Sequence, residues 1–209
     1  MSSRTTSGVD RTRPAQYGAG HWRVVDIVVA AVLAVAVGLI FWAWNTIGSA
    51  WFTVMDTLTP GLGGLASGIW FLGGPLGALV IRKPGAAVFV ETLAAVVSMA
   101  LGNQWGITTV TSGFFQGLGA EIVFLVVRYR VWTLPVALIA GAAAGFGAWA
   151  NELFIGETPN ITMSFAFNVI YLFANLVTGA VLAGLVGWLI TKALARTGAL
   201  NRFASGREA

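Results

Sequence analysis

The sequence predicts an all-α integral membrane protein in which six transmembrane helices form one bundle, with both termini in the cytoplasm. The first observation is compositional, because 57% of the 209 residues are hydrophobic and only 10% are charged. A soluble domain carries about 25% charged residues, so this chain could not cover a water-exposed surface. The second observation is a series of six continuous apolar segments, and the third is the placement of the cationic residues.

The apolar segments follow a polar start, residues 1–22, which we interpret as a disordered cytoplasmic tail. They cover residues 24–44, 62–81, 86–101, 113–127, 134–153 and 167–193. A crossing needs about 20 apolar residues, so the third and fourth segments are short. Because the runs are continuous rather than alternating, they favour helices over barrel strands. Residues 23–196 are thus the predicted six-helix domain, and residues 197–209 a cytoplasmic C-terminal tail.

The 12 Lys and Arg residues all fall on one side of the membrane if the chain crosses it six times. They precede the first segment, join the second to the third and the fourth to the fifth, and end the sixth. The positive-inside rule assigns that side to the cytoplasm. The basic composition therefore reflects topology and predicts no nucleic-acid partner. The opposite side carries three longer connections, residues 45–61, 102–112 and 154–166.

Several classes of site are disfavoured by residues and motifs that the sequence lacks. Without Cys there are no disulfides, thiolate metal ligands or Cys nucleophiles. The single His21 lies in the N-terminal tail. The phosphate-binding motif G-x-x-x-x-G-K-[ST] is missing, so we expect no ATP site in this chain. We accordingly predict no catalytic residue, no metal site, no cofactor and no enzymatic activity.

Two carboxylates, Glu91 and Glu121, lie inside predicted spans, where a charge is costly and faces a cavity or a partner. At 1.5 Å per residue each lies about 9 Å from the cytoplasmic end of its span. No Lys or Arg lies in the interior of a segment to pair with either of them. They are therefore protonated, hydrogen-bonded to neighbouring helices, or waiting for a cation that is not part of the chain.

Polar and aromatic side chains mark further candidate positions. Asn168, Tyr171 and Asn175 share one face of the sixth segment, where they meet either a neighbouring helix or a bound polar molecule. Gln116 and Glu152 could face the same space. Most of the nine Trp residues suit membrane-interface anchors, but Trp70 lies well inside the second segment. There it either packs in the core or stacks on an organic cation.

The stretch 68–124 carries motifs that resemble a known family. They are Gly-Ile-Trp-Phe at 68–71, Ile-Arg-Lys-Pro-Gly-Ala-Ala at 81–87, Leu-Gly-Asn at 101–103 and Gln-Gly-Leu-Gly-Ala-Glu at 116–121. The glycine-rich stretch 179–187 and Thr-Gly-Ala-Leu-Asn at 197–201 also fit. Together they resemble the S components of energy-coupling factor (ECF) transporters, in the YkoE branch linked to thiamine and its hydroxymethylpyrimidine precursor.

The resemblance implies a multi-pass protein of the bacterial cell membrane that captures a vitamin under a lid of outer loops. It implies as partners a membrane scaffold (T) subunit and two cytoplasmic ATPase subunits that hydrolyse ATP. Small residues on early spans are typical docking faces for the scaffold in this family. Ala30 and Ala34 in the first segment are the candidates here.

Thiamine is an aromatic cation, which carboxylates, Trp faces and amides complement. The expected substrate-binding residues are Trp70, Glu91, Asn103, Gln116, Glu121, Asn168, Tyr171 and Asn175. The expected lid or rim residues are Trp105, Trp149 and Glu152. We expect loss of Glu121 to weaken thiamine more than the neutral pyrimidine. The alternatives are an S component for another vitamin, a stand-alone carrier or channel for a small cation, and an assembly subunit without a ligand.

Overall fold

The computed structural model describes residues 21–156 and 158–207, and over these residues it contains helices and turns but no strand. The all-α class is therefore confirmed. The α-helices are α1 (Val24–Leu58), α2 (Gly73–Ile81), α3 (Ala86–Ala100), α4 (Thr108–Val126), α5 (Leu134–Phe154), α6 (Phe165–Thr178), α7 (Val186–Arg196) and α8 (Ala204–Arg207). A 3₁₀ segment (Leu62–Phe71) precedes α2, a 3₁₀ turn (Asn160–Thr162) precedes α6, and a π-helical segment (Gly179–Leu185) joins α6 to α7. Residues 1–20 of the predicted tail lie outside the described residues.

Five helical stretches in the described part of the chain are long and apolar enough to cross a membrane. They are Val24–Leu58, Leu62–Ile81, Thr108–Val126, Leu134–Phe154 and Phe165–Arg196. The predicted third segment forms α3, an apolar helix of 15 residues. At 1.5 Å per residue α3 spans about 22 Å, which is less than the roughly 30 Å of a bilayer hydrocarbon core.

The first helix is longer than the predicted segment 24–44, and the predicted loop at 45–61 is wrong. α1 continues to Leu58, and Thr59 then adopts an extended conformation. The reason is Pro60, since a proline disfavours the helical conformation of the residue before it. Gly61 follows with a φ of 98° and turns the chain back toward the bundle. Likewise α4 begins at Thr108 instead of residue 113.

The direction of each helix follows from the residues it meets. α1 and α3 run parallel, because Trp22 Nε1 donates to Pro84 O at 2.9 Å near one end and Asn45 Nδ2 donates to Ser98 Oγ at 3.1 Å near the other. The remaining long stretches alternate in direction. The described cations therefore gather at one end of the bundle, which we call the basic end. They are Arg23, Arg82, Lys83, Arg128, Arg130, Lys192, Arg196 and Arg202.

A buried acidic residue organises the basic end. Asp26 is fully buried, and its carboxylate lies 2.7 Å from Arg23 Nη2 and 3.3 Å from Lys83 Nζ. Because Lys83 belongs to the α2–α3 connection, this ion pair ties the start of α1 to that connection. Taking a carboxylate out of water is costly unless it is paired, and here two cations and the Arg23 backbone amide satisfy it.

The described part of the predicted C-terminal tail packs against the bundle. Leu200 and Phe203 are buried, and they join the apolar cluster that contains Leu76 and Val80 of α2. Ser205 Oγ donates to Val80 O at 2.8 Å. Residues 197–207 therefore cover the end of α2 at the basic end.

Glycine makes the interfaces of α5 unusually close. Gly145 faces the backbone of Asn175, and Gly147 faces the backbone of Phe115 in α4. A Cβ added at either glycine would overlap the carbonyl group opposite. Small residues let helices approach at backbone distance, which supplies dispersion contacts where the bilayer provides no hydrophobic drive. α5 is thus held tightly between α4 and α6.

Gly145→Ala should lower the stability of the protein, since the added methyl group overlaps the Asn175 carbonyl. We expect a loss of about 1–3 kcal/mol, typical of overpacking, measured by thermal unfolding in detergent. Gly187→Ala is the matched control, because a Cβ there meets no atom closer than 3.6 Å. It should be neutral or stabilise by up to about 1 kcal/mol through helix propensity. Equal effects of the two substitutions would contradict the close packing of α5.

Candidate functional site

A cavity of about 330 Å³ opens at the end of the bundle opposite the basic end. Its walls come from the second half of α1, the 3₁₀ segment, the α3–α4 connection and the adjoining ends of α4, α5 and α6. Small-molecule sites usually enclose about 300–1,000 Å³, so a small vitamin-sized molecule fits. Of the predicted site and rim residues, the cavity is lined by Trp70, Trp105, Gln116, Glu152 and Tyr171.

Two tryptophans form an aromatic corner of this cavity. The Trp70 and Trp105 rings meet edge to face, with centroids 5.4 Å apart and an interplanar angle of 83°. Trp70 is fixed by its Nε1, which donates to Asn45 Oδ1 at 2.9 Å. Asn45 in turn donates to Ser98 Oγ at 3.1 Å. The continuation of α1 through the predicted loop is what brings Asn45 to the cavity.

Gln116 connects the cavity to the buried Glu91. The orientation of its amide follows from its partners. Gln116 Nε2 donates to Trp70 O at 2.8 Å and to Glu91 Oε1 at 3.2 Å, and its Oε1 accepts from Ser112 Oγ at 2.8 Å. Both groups of this side chain are thus engaged within the protein, and Gln116 forms a pre-organised wall.

Among the described residues that line the cavity, Glu152 is the one with a carboxylate side chain. It lies at the end of α5, and no hydrogen bond or ion pair satisfies its side chain among the described residues. Its neighbour Asn151 also lines the cavity and is 1% exposed, and the buried Asn151 Oδ1 has no hydrogen-bond partner in the described part of the chain. Two buried or half-buried acceptors are therefore left without a donor at the same site. A ligand that carries donors or positive charge would satisfy them.

Glu91, expected in the polar core of the site, lies behind it. It is fully buried, does not line the cavity, and accepts hydrogen bonds from the backbone amides of Gly73 and Gly74. These amides begin α2, where a helix leaves its first N–H groups without intrahelical partners. Glu91 thus caps α2 from a neighbouring helix, and it reaches the cavity only through Gln116.

Glu121, expected beside Glu91, is placed away from the cavity. Its carboxylate accepts from the backbone amides of Gly85 at 2.7 Å and Ala87 at 3.1 Å. It therefore caps the start of α3 near the basic end. The Tyr129 hydroxyl also donates to it. Burial, together with the nearby Glu121 carboxylate, raises the pKa of the Tyr129 phenol, which keeps the phenol protonated as a donor.

Four other expected residues hold the loops and walls instead of lining the cavity. Asn103 Oδ1 accepts from the amides of Trp105 and Gly106 at 3.0 and 2.8 Å, which fixes the loop that carries Trp105. Asn175 is buried behind Tyr171 and donates to its carbonyl at 2.9 Å.

The remaining two lie in a separate groove at the outside of α5 and α6. Asn168 Nδ2 donates to Asn160 O at 2.8 Å, and Trp149 Nε1 donates to Asn168 O at 3.1 Å. Both line this shallow apolar groove. The three residues of the polar face predicted on the sixth segment therefore do not share one site. Of Asn168, Tyr171 and Asn175, only Tyr171 lines the cavity.

The cavity also uses residues that the sequence reasoning missed, above all Asn45, Ser49 and Asn151. Asn45, Ser49 and Thr53 recur every four residues, which is the spacing of one helix face. That spacing was the available signal, and it was hidden by treating residues 45–61 as a loop. For Asn151 the signal in the sequence was weaker, because only its position beside Glu152 pointed to the cavity.

The expected docking residues Ala30 and Ala34 do not face outward. Both are 0% exposed and belong to the apolar cluster that α1 forms with α2 and α3. The outward face of α1 carries large apolar side chains such as Val28, Val32 and Leu39. The alanine ridge therefore serves packing inside the bundle. Among the described residues no group of three or more His, Cys, Asp or Glu side chains could hold a metal ion.

Comparisons with known proteins agree on one class of protein. A family model for the permease component of an ABC-type cobalt transport system matches residues 25–147. YkoE of Bacillus subtilis (strain 168), which bears the name HMP/thiamine permease protein, is 35% identical over 191 residues, which are 90% of this chain and 92% of that relative. A crystal structure of an S component of an ECF transporter matches with a TM-score of 0.81 and 34% identity, over 90% of this chain and 93% of that chain.

Glu121→Gln should destabilise the protein, because one oxygen of the cap becomes an NH₂ group that faces the backbone amides of α3. We expect a loss of about 1–3 kcal/mol, read from thermal unfolding in detergent. Tyr129→Phe removes a single bond to the same carboxylate and should cost less, about 0.5–1.5 kcal/mol. An unchanged melting temperature for Glu121→Gln would refute the capping role.

Proposed function

Because the chain belongs to the S-component family of ECF transporters that includes YkoE, we propose that its cavity captures thiamine or the hydroxymethylpyrimidine (HMP) precursor of thiamine. As a member of this family it is a multi-pass protein of the bacterial plasma membrane and a transport protein, not an enzyme. The substrate, the topology and the individual partners are the parts that we infer.

For the topology we propose six crossings, with α3 as the sixth and shortest. The basic end then faces the cytoplasm by the positive-inside rule, and the cavity opens on the outer side. The partners that we propose are a T scaffold subunit and two cytoplasmic ATPase subunits, which supply ATP hydrolysis. This division of labour suits a sequence without a phosphate-binding motif.

The observation that carries the proposed substrate is the Glu152 carboxylate, which no described residue pairs, in a cavity with a two-tryptophan corner. Thiamine combines a permanently cationic ring with an aminopyrimidine. A cation is attracted to aromatic faces and to a carboxylate, and amino groups donate to acceptors such as Asn151 Oδ1. An organic cation fits these groups better than a bare metal ion, which would need several ligands.

A stand-alone channel for small cations is the competing function. It would need a polar path along the whole bundle. Below Gln116 the interior is instead filled by buried apolar side chains, including Phe71, Phe124, Leu76 and Val80. The polar lining is thus confined to one end, which favours capture over conduction.

Ligand capture is tested by tryptophan fluorescence of the detergent-purified full chain during titration with thiamine and, separately, with HMP. We expect saturable quenching, because Trp70 and Trp105 line the cavity. Trp70→Phe should reduce the amplitude and weaken binding, whereas Trp149→Phe, in the separate groove, should leave the affinity unchanged. Absence of a response to both compounds in folded protein would overturn the proposed substrate.

Glu152→Gln should separate the two ligands. Removing the negative charge should weaken thiamine roughly tenfold, equivalent to about 1.4 kcal/mol, and change HMP affinity by less than about twofold. Glu121→Gln is the matched control, because the same substitution lies at a helix cap away from the cavity. Glu121→Gln should leave the ratio of the thiamine and HMP affinities unchanged. This expectation replaces the one drawn from the sequence, in which loss of Glu121 weakens thiamine more than the pyrimidine. Equal loss of thiamine and HMP in Glu152→Gln would exclude the proposed counter-charge.

A further inference from the structure

Several hydroxyl donors around the cavity are committed to the protein itself. Ser49 Oγ donates to Asn45 O at 2.6 Å, and Thr53 Oγ1 donates to Ser49 O at 3.0 Å. Thr108 Oγ1 donates to Trp105 O at 2.7 Å. These hydroxyl groups therefore turn lone pairs, not hydrogens, toward a ligand.

Two larger polar side chains of the lining are engaged in the same way. The Trp70 indole donates to Asn45, and the Gln116 amide donates to Trp70 O and to Glu91. In contrast, no described residue donates to the Glu152 carboxylate or to Asn151 Oδ1. Several donors of the lining are thus occupied within the protein, while its carboxylate stays free to meet a ligand.

No positive charge of the described chain compensates the Glu152 carboxylate at the cavity. Within the described chain no Lys, Arg or His lines the cavity. The basic end lies about 27 Å away along α5, counting 18 residues from Leu134 to Glu152. The N-terminus of α4 borders the cavity and would favour an anion. Two of its early amides are occupied, since Thr109 N donates to Gly106 O at 3.2 Å and Val110 N to Ile107 O at 3.0 Å.

We propose, resting on the function inferred above, that this cavity admits only the unphosphorylated forms of its ligand and rejects their phosphate esters. A phosphate monoester carries a charge of about −1.5 to −2 at neutral pH. Here it would enter a confined site beside the Glu152 carboxylate, where no Lys, Arg or His lies among the described lining residues. Burying such an anion without a cationic partner is costly, whereas a free hydroxyl group is neutral and can donate.

The test is equilibrium binding of thiamine, thiamine monophosphate, HMP and HMP phosphate to the full chain, followed by tryptophan fluorescence. Each phosphate ester should bind at least roughly thirtyfold more weakly than its free alcohol. Inorganic phosphate should not displace thiamine. Binding of thiamine monophosphate within about threefold of thiamine would overturn this inference alone. Failure of both unphosphorylated ligands to bind would overturn the proposed function and this inference with it.

A pair of charge variants checks that electrostatics causes the rejection. Gln104 is exposed at the cavity rim, so substitutions there should fold. Gln104→Lys should reduce the ratio of the thiamine affinity to the thiamine monophosphate affinity by roughly fivefold or more, and Gln104→Glu should increase this ratio. Glu152→Gln should also reduce it. Identical discrimination in all three variants would show that the cavity excludes the phosphate by size, which contradicts the electrostatic inference.

Discussion

Satisfying backbone hydrogen bonds inside the bilayer is the constraint on which the rest of this structure depends. Unpaired amides cost several kcal/mol each in hydrocarbon, yet α2 begins inside the bundle, and α3 begins at its basic end. Glu91 and Glu121, each on a neighbouring helix, supply the missing acceptors. The helix starts carry partial positive charge, so each carboxylate also meets an electrostatic partner. The two intramembrane acids are thus explained by the chain itself, without a ligand.

The interrupted second stretch makes room for the cavity. Its 3₁₀ half sets Trp70 against Asn45, while its α-helical half, capped by Glu91, continues to the basic end. Gln116 donates to Trp70 O in the 3₁₀ half and to the Glu91 carboxylate, which caps the α-helical half. The ligand-facing wall and the helix cap therefore belong to one network. Among the residues that the structure describes, this arrangement leaves Glu152 as the acid that faces the cavity.

The sequence predicted the fold class and the gathering of cations at one end, because hydropathy and charge placement act on whole segments. It failed where a residue's partner is distant in sequence. Glu121 meets Gly85 and Ala87, 36 and 34 residues away, and spacing alone does not distinguish a helix cap from a ligand site. Hydropathy also mistook residues 45–58 for a loop, because the helical spacing of Asn45 and Ser49 carries no apolar signal. A small-residue ridge such as Ala30 and Ala34 looks the same whether it faces inward or outward.

The unequal lengths of α1 and α3 have a consequence for the surrounding lipid. α1 has 35 residues and α3 has 15, so at 1.5 Å per residue their lengths are about 52 Å and 22 Å. With α3 as the proposed sixth crossing, a bilayer of uniform thickness cannot match both helices, and tilting of α1 and thinning of the leaflets near α3 would relieve the mismatch. The bundle would thereby deform the membrane asymmetrically around its circumference. The acyl-chain length of the surrounding lipid would then affect α1, the helix whose second half lines the cavity.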